Sequence, residues 1–519
     1  MRFNLNSIIL NNLSCKEVSV RFYHNIIKTK STKCILKNEI GAKFLSNVIH
    51  PLDIFYCDKR QCSSTNSDVT QTALELFYDD EVKDLVPRSL RLASMPHQVF
   101  IVHPYIKWGP KKKQDTSPDL QLEEAVSIIK TLHDWKIVGK KKISLLSFDK
   151  ESFFNKGQLE IVKTLICKNQ LITSVFVNVK SLKINQHLFL EDLFSVPVFD
   201  RYSIVMNIFK RHAVTKEAKL QVSLAEIPFI RSRIRGINEL DGTTFIKNTG
   251  IGSGETIMTK RLKALSFYEQ QVKKSIDKLR QNRELLRKKR RNMEFPIVAV
   301  VGYTNAGKTS LIKCLTEEEK MNPEDKLFAT LDVTVHAGTL PCNLKVLYVD
   351  TIGFISDLPT NLLEPFIATL EDAIQADLIV HVQDISHPDH VMQKSHVLKT
   401  LESFNLRTGV MQNIISVGNK CDKVPTITTV DNDLILTSCT KNTGLSKLEE
   451  KIETGIINAL NLKKIRIRVI NGGREYFWLQ KETAISNCFT DENNQQYVFL
   501  DVLISNGNLE KFKSYFIRR

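Results

Sequence analysis

Gly302-Tyr303-Thr304-Asn305-Ala306-Gly307-Lys308-Thr309-Ser310 directly follows the unbroken apolar run Ile297-Val298-Ala299-Val300-Val301. A short apolar run, a glycine-bounded turn and residues able to open a helix fit the pattern G-x-x-x-x-G-K-[ST]. In such a loop the backbone N–H groups converge on phosphate oxygens. The helix N-terminus behind them adds partial positive charge. Lys308 is expected to reach β- and γ-phosphates, and Thr309 to hold Mg²⁺.

Working outward, three further segments follow in the order of a guanine-nucleotide switch. Leu347-Tyr348-Val349-Asp350-Thr351-Ile352-Gly353 reads as a strand ending in D-x-x-G. Asp350 is expected to meet Mg²⁺ through water, and the Gly353 N–H to sense the γ-phosphate. Asn419-Lys420-Cys421-Asp422 follows the apolar Ile414-Ile415 run. An ionised Asp422 only accepts, so it suits the paired N1–H and N2–H donors of guanine, which adenine lacks. Asn419 would reach the N7 side of the base, and the Lys420 stem would lie over the ring. Ser438-Cys439-Thr440, after Leu436, would bring backbone to guanine O6. Each segment alone is most often an ordinary turn. Together, in this order, they predict a GTP-hydrolysing switch with GTP and Mg²⁺ as its ligands.

Between the phosphate loop and Asp350 lies Leu327-Phe328-Ala329-Thr330-Leu331-Asp332, the natural first switch segment. A threonine there can join Mg²⁺ and the γ-phosphate, contacts that hydrolysis releases. Thr330 is the expected residue, and Thr334 competes with it. Catalysis is thus assigned to Lys308, Thr330 and Gly353, and metal binding to Thr309, Thr330 and Asp350. Many such switches carry glutamine just after D-x-x-G to orient the attacking water. This chain has Phe354, so slow intrinsic turnover, triggered by a target, is expected.

The wording of these segments, with Tyr303, Asn305 and Phe354, resembles the HflX GTPases. Val198-Phe199-Asp200-Arg201 and Lys219-Leu220-Gln221-Val222-Ser223-Leu224-Ala225 resemble that family's N-terminal domain. His103-Pro104-Tyr105-Ile106-Lys107-Trp108-Gly109-Pro110 is similar to its animal mitochondrial branch. The resemblance spans about residues 95–519. It implies a factor that docks on the large ribosomal subunit and its RNA. Bacterial members split ribosomes in the GTP-bound form, and the mitochondrial branch is tied to recycling and late large-subunit maturation. Two local departures are Val333, where the family usually has proline, and the shortened glycine run Gly250-Ile251-Gly252-Ser253-Gly254.

Charge is unevenly placed along the 519 residues, whose net value is +16. Residues 295–460 hold 13 Lys+Arg and 21 Asp+Glu, a net −8, which leaves +24 for the remainder. The basic surface therefore lies outside the nucleotide-binding segment, as suits a polyanion partner such as ribosomal RNA. No apolar run is long enough to span a membrane. The ten cysteines lack metal-type spacing, which favours free thiols in a reducing compartment. The first 50 residues carry 8 Lys+Arg against 2 Asp+Glu, interleaved with apolar residues. They read as a presequence for the mitochondrial matrix.

The expected architecture is a multidomain α/β chain acting as a monomer. Residues 1–70 are presequence and linker. Residues 96–235 form a parallel α/β domain with strands near Val99–Val102, Ile143–Leu146, Val175–Val177 and Val196–Phe199. Helical spacing runs over Leu122–Trp135 and Leu159–Ile166. Residues 236–294 form a glycine-rich loop and basic helical arm, in which Leu265, Val272, Leu279 and Leu286 recur every seven positions. Residues 261–291 carry 12 Lys+Arg and 3 Asp+Glu, making this the best RNA-facing element. Residues 295–460 form the doubly wound GTPase domain. Residues 461–519 form a small α+β unit with strands at 465–469 and 498–504 and a helix at 509–516. Lys107–Lys113, around Trp108, could stack on RNA bases. An RNA-binding assembly chaperone that uses GTP as a timer, and a non-ribosomal signalling GTPase, are the competing readings.

Overall fold

The computed structural model describes residues 95–519 except 111, 113–115, 146, 149–153, 241–256, 293–294, 317, 319–320, 322, 325, 332, 357–375, 404–412, 425–432, 492–493 and 518–519. The expected presequence, the Gly250–Gly254 run and Asp332 lie outside the described residues.

The first sheet is four-stranded and wholly parallel, in the order β2-β1-β3-β4. Its elements are β1 (His97–Ile106), α1 (Pro118–Lys130), β2 (Trp135–Leu145), α2 (Lys156–Cys167), β3 (Ser174–Val177), α3 (Ile184–Phe194) and β4 (Val198–Asp200). β1 and β3 are nearly continuous runs of buried apolar residues, as strands covered on both faces must be. Ser117 caps α1 by accepting the Leu120 N–H, and Pro118 opens the helix. The helical spacing expected through Trp135 stops at Lys130. Trp135 instead opens β2, where its indole N–H donates to Met95 O at 3.0 Å and its ring packs 5.1 Å from Phe199. Tertiary contacts outweigh local periodicity there.

Three helices follow: α4 (Arg201–His212), α5 (Lys216–Leu240) and α6 (Ile257–Asn292). The Arg283–Glu217 and Arg231–Glu269 ion pairs show that α5 and α6 run antiparallel. Leu265, Tyr268, Val272 and Ile276 are buried in their seam, with Leu262 and Leu279 at its edge. The arm is thus a helical hairpin starting at α5, and the expected boundary at residue 235/236 falls inside a helix. The α5 seam residues Ile227 and Ile230 are shared between the arm and the N-terminal core. The side chains of Leu286 and Arg287–Arg291 lie outside the described residues.

The second sheet has six strands in the order β10-β9-β8-β5-β7-β6. They are β5 (Ile297–Gly302), β6 (Thr334–Thr339), β7 (Lys345–Asp350), β8 (Leu378–Asp384), β9 (Ile414–Asn419) and β10 (Ile435–Leu436). Only β6 runs antiparallel to its neighbour. Helices α7 (Lys308–Thr316), α8 (His390–Ser403) and α9 (Leu445–Ala459) cover it. The chain turns from one side of β5 to the other between β7 and β8. The crevice beyond the strand C-termini therefore opens at this switch point.

The third sheet is antiparallel, β11-β13-β12, built from β11 (Lys463–Ile470), β12 (Ala484–Thr490) and β13 (Tyr497–Ile504). Helices α10 (Arg474–Glu482) and α11 (Asn506–Phe512) complete it; β12 and α10 had no clear sequence signal. Two basic residues of β11 find acidic partners within this unit. Arg466 makes a bidentate pair with Asp501 at 2.7 and 3.0 Å, and Arg468 pairs with Asp491 at 2.6 Å.

One continuous apolar core links the first two sheets. It runs from Val99 and Phe199 through Phe209 and Ile230 to Phe328, Ile352 and Phe354. Among the described residues no helix is long and apolar enough to cross a membrane.

Candidate nucleotide site

The loop between β5 and α7 bends through left-handed backbone at Asn305 (φ 60°) and Gly307 (φ 90°). A side chain at Gly307 would collide with Asn419 Nδ2, so both φ and space require glycine. Asn419 donates from that amide to Ala306 O at 3.0 Å. Lys420 Nζ donates to Asn305 O at 2.8 Å and to Asp384 Oδ2 at 2.7 Å. The Asn-Lys pair expected at the base thus also braces the phosphate loop.

Lys308 is buried and its Nζ donates to Tyr303 O at 3.0 Å. Burial lowers its pKa to about 8, opposed by the nearby Asp350 carboxylate. Thr309 Oγ1 donates to Asp350 Oδ2 at 2.7 Å, and Thr330 Oγ1 does so at 3.1 Å. The two hydroxyls are 2.9 Å apart. Among the described residues, Asp350 Oδ1 is buried without a hydrogen-bond partner. Burial pushes the Asp350 carboxyl up, against Lys308 and the two threonines. Of the two competing threonines, Thr330 therefore joins this cluster. Thr334 pairs across the sheet with Asp350 by backbone, while its hydroxyl meets His336 Nε2 at 2.8 Å.

Gly353 lies against the loop: a Cβ there would sit 2.7 Å from Thr304 Cα and 3.0 Å from Lys308 Nζ. Phe354 turns its ring into the shared core, and its backbone bonds the loop instead. Thr304 N–H donates to Phe354 O at 2.7 Å, and Phe354 N–H to Gly302 O at 3.1 Å. Thr351 donates from its hydroxyl to Val300 O at 2.7 Å.

At the far end of the crevice, Ser438 Oγ donates to Asp422 Oδ1 at 2.6 Å. That bond holds the half-buried Asp422 carboxyl below its usual range. Cys421 N–H donates to Thr437 O at 3.2 Å, and Cys439 Sγ lies 3.5 Å from Asn419 Oδ1. A cavity of about 230 Å³ runs along the crevice from Ser310 and Thr330 past Lys308 and Gly353 to Lys420, Cys439 and Thr440; Asp350, Asp422 and Ser438 are not among its walls.

Residues 297–420 match the family described as 50S ribosome-binding GTPase. Residues 212–290 match the GTP-binding GTPase middle region, and 119–210 the GTP-binding GTPase N-terminal region. The chain is 39% identical over 459 residues to GTP-binding protein 6 of Xenopus laevis, covering 86% of each chain. Its identity to the Homo sapiens protein of that name is 40% over 428 residues, 81% of each. To GTPase HflX of Caldanaerobacter subterraneus it is 35% identical over 321 residues, 61% of this chain and 72% of that one. The chain belongs to the HflX family. It is a GTP-binding GTPase.

Several contacts of this HflX site come from residues that sequence reading passed over. Asp384 ends β8 and pairs Lys420; an acid at a strand end beside the crevice was a usable signal. From the first sheet's layer, Glu124 reaches Tyr303, and His212 Nδ1 donates to Phe328 O at 2.6 Å. The Phe328 backbone is left-handed (φ 55°), and its ring meets Phe209 edge-on at 4.9 Å. No local pattern announces these partners. Trp108, singled out earlier, is 76% exposed with Lys107 Nζ 5.7 Å from its ring centre.

Proposed function

We propose that this GTPase is a nucleotide-driven switch of the mitochondrial large ribosomal subunit, which it grips while GTP is bound and leaves after hydrolysis. The basic N-terminal domain and arm would grip RNA at the subunit interface, and the resulting clash with the small subunit would separate the two and promote recycling, with a further part in late subunit maturation. The observation that carries the reading is the charge split. The GTPase segment is net −8 and the remainder +24. Lys260, Arg261, Lys263, Lys274, Lys278 and Arg280 are exposed along α6, an arrangement suited to phosphate contacts. The family description of residues 297–420 as a 50S ribosome-binding GTPase supports the same partner. The basic, acid-poor leader supports the mitochondrial matrix.

In the pocket, backbone N–H groups of Gly302–Ser310 would cradle the phosphates, with Lys308 between the β and γ groups. The donor set of Thr309, Thr330 and Asp350 is all oxygen, and the orphaned Asp350 Oδ1 is a buried acceptor in need of a partner. Both features suit Mg²⁺, which when bound neutralises phosphate charge. The Gly353 N–H would meet the γ-phosphate, so loss of that group frees both switch segments. Asp422, oriented by Ser438, would accept both guanine donors. Asn419 and Lys420 would flank the base, with the Ser438–Thr440 backbone at O6. Phe354 offers no group to orient water, so turnover waits for help from the docked target.

Sedimentation with purified mitochondrial large subunits tests the reading. Protein lacking about the first 50 residues should co-sediment with a non-hydrolysable GTP analogue and not with GDP, and subunits should stimulate its GTP turnover. Equal sedimentation in both states, or turnover indifferent to subunits, would remove the ribosome from the mechanism.

A further inference from the structure

We propose that Glu124, carried on α1 of the N-terminal sheet, is a positioning residue for GTP hydrolysis: it ties Tyr303 of the phosphate loop to Ser356 beyond Gly353. The inference rests on the nucleotide reading above.

The three residues close a ring from three separate segments. Tyr303 OH donates to Glu124 Oε1 at 2.6 Å and accepts the Ser356 N–H at 2.8 Å. Ser356 Oγ lies 3.0 Å from that phenol oxygen and 3.4 Å from each Glu124 oxygen. Arg201 Nη2, buried at the head of α4, stands 3.0 Å from Glu124 Oε1 as its cationic partner. Burial, with Glu124 beside it, raises the Tyr303 phenol well above its ordinary range, so it stays a donor.

The segment so held is the one hydrolysis needs. Residues 353–356 run along the phosphate loop, fixed by the Phe354 backbone bonds and by His396 Nε2, which donates to Ile355 O at 3.1 Å. Those restraints belong to the GTPase sheet itself; Glu124 comes from the other sheet. With phenylalanine in the water-orienting position, alignment of the attacking water falls to this backbone and to whatever the target adds. A displacement of about 1 Å can cost roughly 10²-fold in rate, so a clasp on Ser356 acts on kcat more than on nucleotide affinity.

Single-turnover GTP hydrolysis and fluorescent-GDP binding of the full chain, measured on four variants, decide the matter. Glu124→Ala and Tyr303→Phe should each slow hydrolysis about 10-fold, and the double variant should be no slower than either, since they break one ring. GDP affinity should stay within about two-fold, and Glu124→Gln, which still accepts from Tyr303, should recover most of the rate. Multiplying losses in the double variant, faster or unchanged hydrolysis, or GDP affinity falling in step with rate would each overturn the proposal. Should Glu124→Ala fail to fold once Arg201 loses this carboxylate, Glu124→Met, which keeps the stem and removes both acceptor oxygens, gives the same cycle against Tyr303→Phe. Lys308→Ala is the separate control: if it hydrolyses GTP like the parent, the nucleotide reading fails, not the clasp.

Discussion

In the crevice of the six-stranded sheet, polar groups are buried and held. Lys308, Asp350 and Asn419 are each nearly inaccessible, and each has a partner within 3.1 Å. Along α6 the arrangement is the opposite. The apolar seam is buried, while basic residues stand in solvent in two groups, Lys260–Lys263 and Lys273–Arg280. The pocket is preorganised for one ligand whose shape it encodes; the arm offers charge that any polyanion can use. Energies follow the same division. Buried charge contacts are strong and insensitive to salt, and exposed ones are individually weak and screened.

The largest expected effect tests the pocket side. Lys308→Ala should reduce GTP hydrolysis about 10³-fold, as removal of a dedicated charge-stabilising group does. Its thermal stability should hold or rise, because a buried ammonium is costly without its phosphate. A loss below about 10-fold would mean that Lys308 does not serve the phosphates.

Asp422→Asn comes next. It replaces one acceptor by a donor facing guanine, so GTP affinity should fall roughly 10²-fold, while xanthosine triphosphate, with a carbonyl where guanine has its amine, should gain. Competition binding with both nucleotides measures this. Equal affinities for GTP before and after substitution would place the base elsewhere.

These two positions were readable because their chemistry is local: a loop of nine residues and a tetrapeptide carry most of the pocket. The same reading stops where partners are distant in sequence. Tyr303 was seen as part of the loop, but its hydroxyl meets Glu124, 179 residues away, and nothing near either residue signals the other. Phe354 was legible as a missing glutamine, yet its backbone bonds to Gly302 and Thr304 follow only from β5 and β7 being neighbours. Helical spacing through Trp135 misled because period alone cannot register the Met95 and Phe199 contacts that start a strand. Asp384 and His212 were passed over for the same reason, as their meaning depends on what the fold sets beside them.

Protonation sharpens the contrast further. Free Lys308 titrates near 8, below its ordinary value, because it is buried. A bound triphosphate favours the ammonium and raises that pKa. GTP binding is therefore fully supported below pH 8 and weakens above it, where the lysine must take up a proton before serving the phosphate. Between pH 7 and pH 9 the Kd should rise about 10-fold. A flat profile would show the lysine already charged throughout.

The smallest effect belongs to the arm, and salt rather than magnitude identifies it. Replacing Lys274 and Lys278 by alanine removes two exposed charges one turn apart on α6, away from the buried Val272 and Ile276. Neither change touches the seam, so stability should move by less than about 0.5 kcal/mol. If both lysines meet RNA phosphates, large-subunit affinity should fall about five-fold at low salt. The slope of log K against log salt should shrink by roughly 0.7 for each lost contact. The parent's advantage then closes as salt rises, which no pocket substitution would imitate. An unchanged slope with weaker binding would make these lysines part of a protein contact, and binding unchanged at every salt would move the RNA surface off this face of the arm.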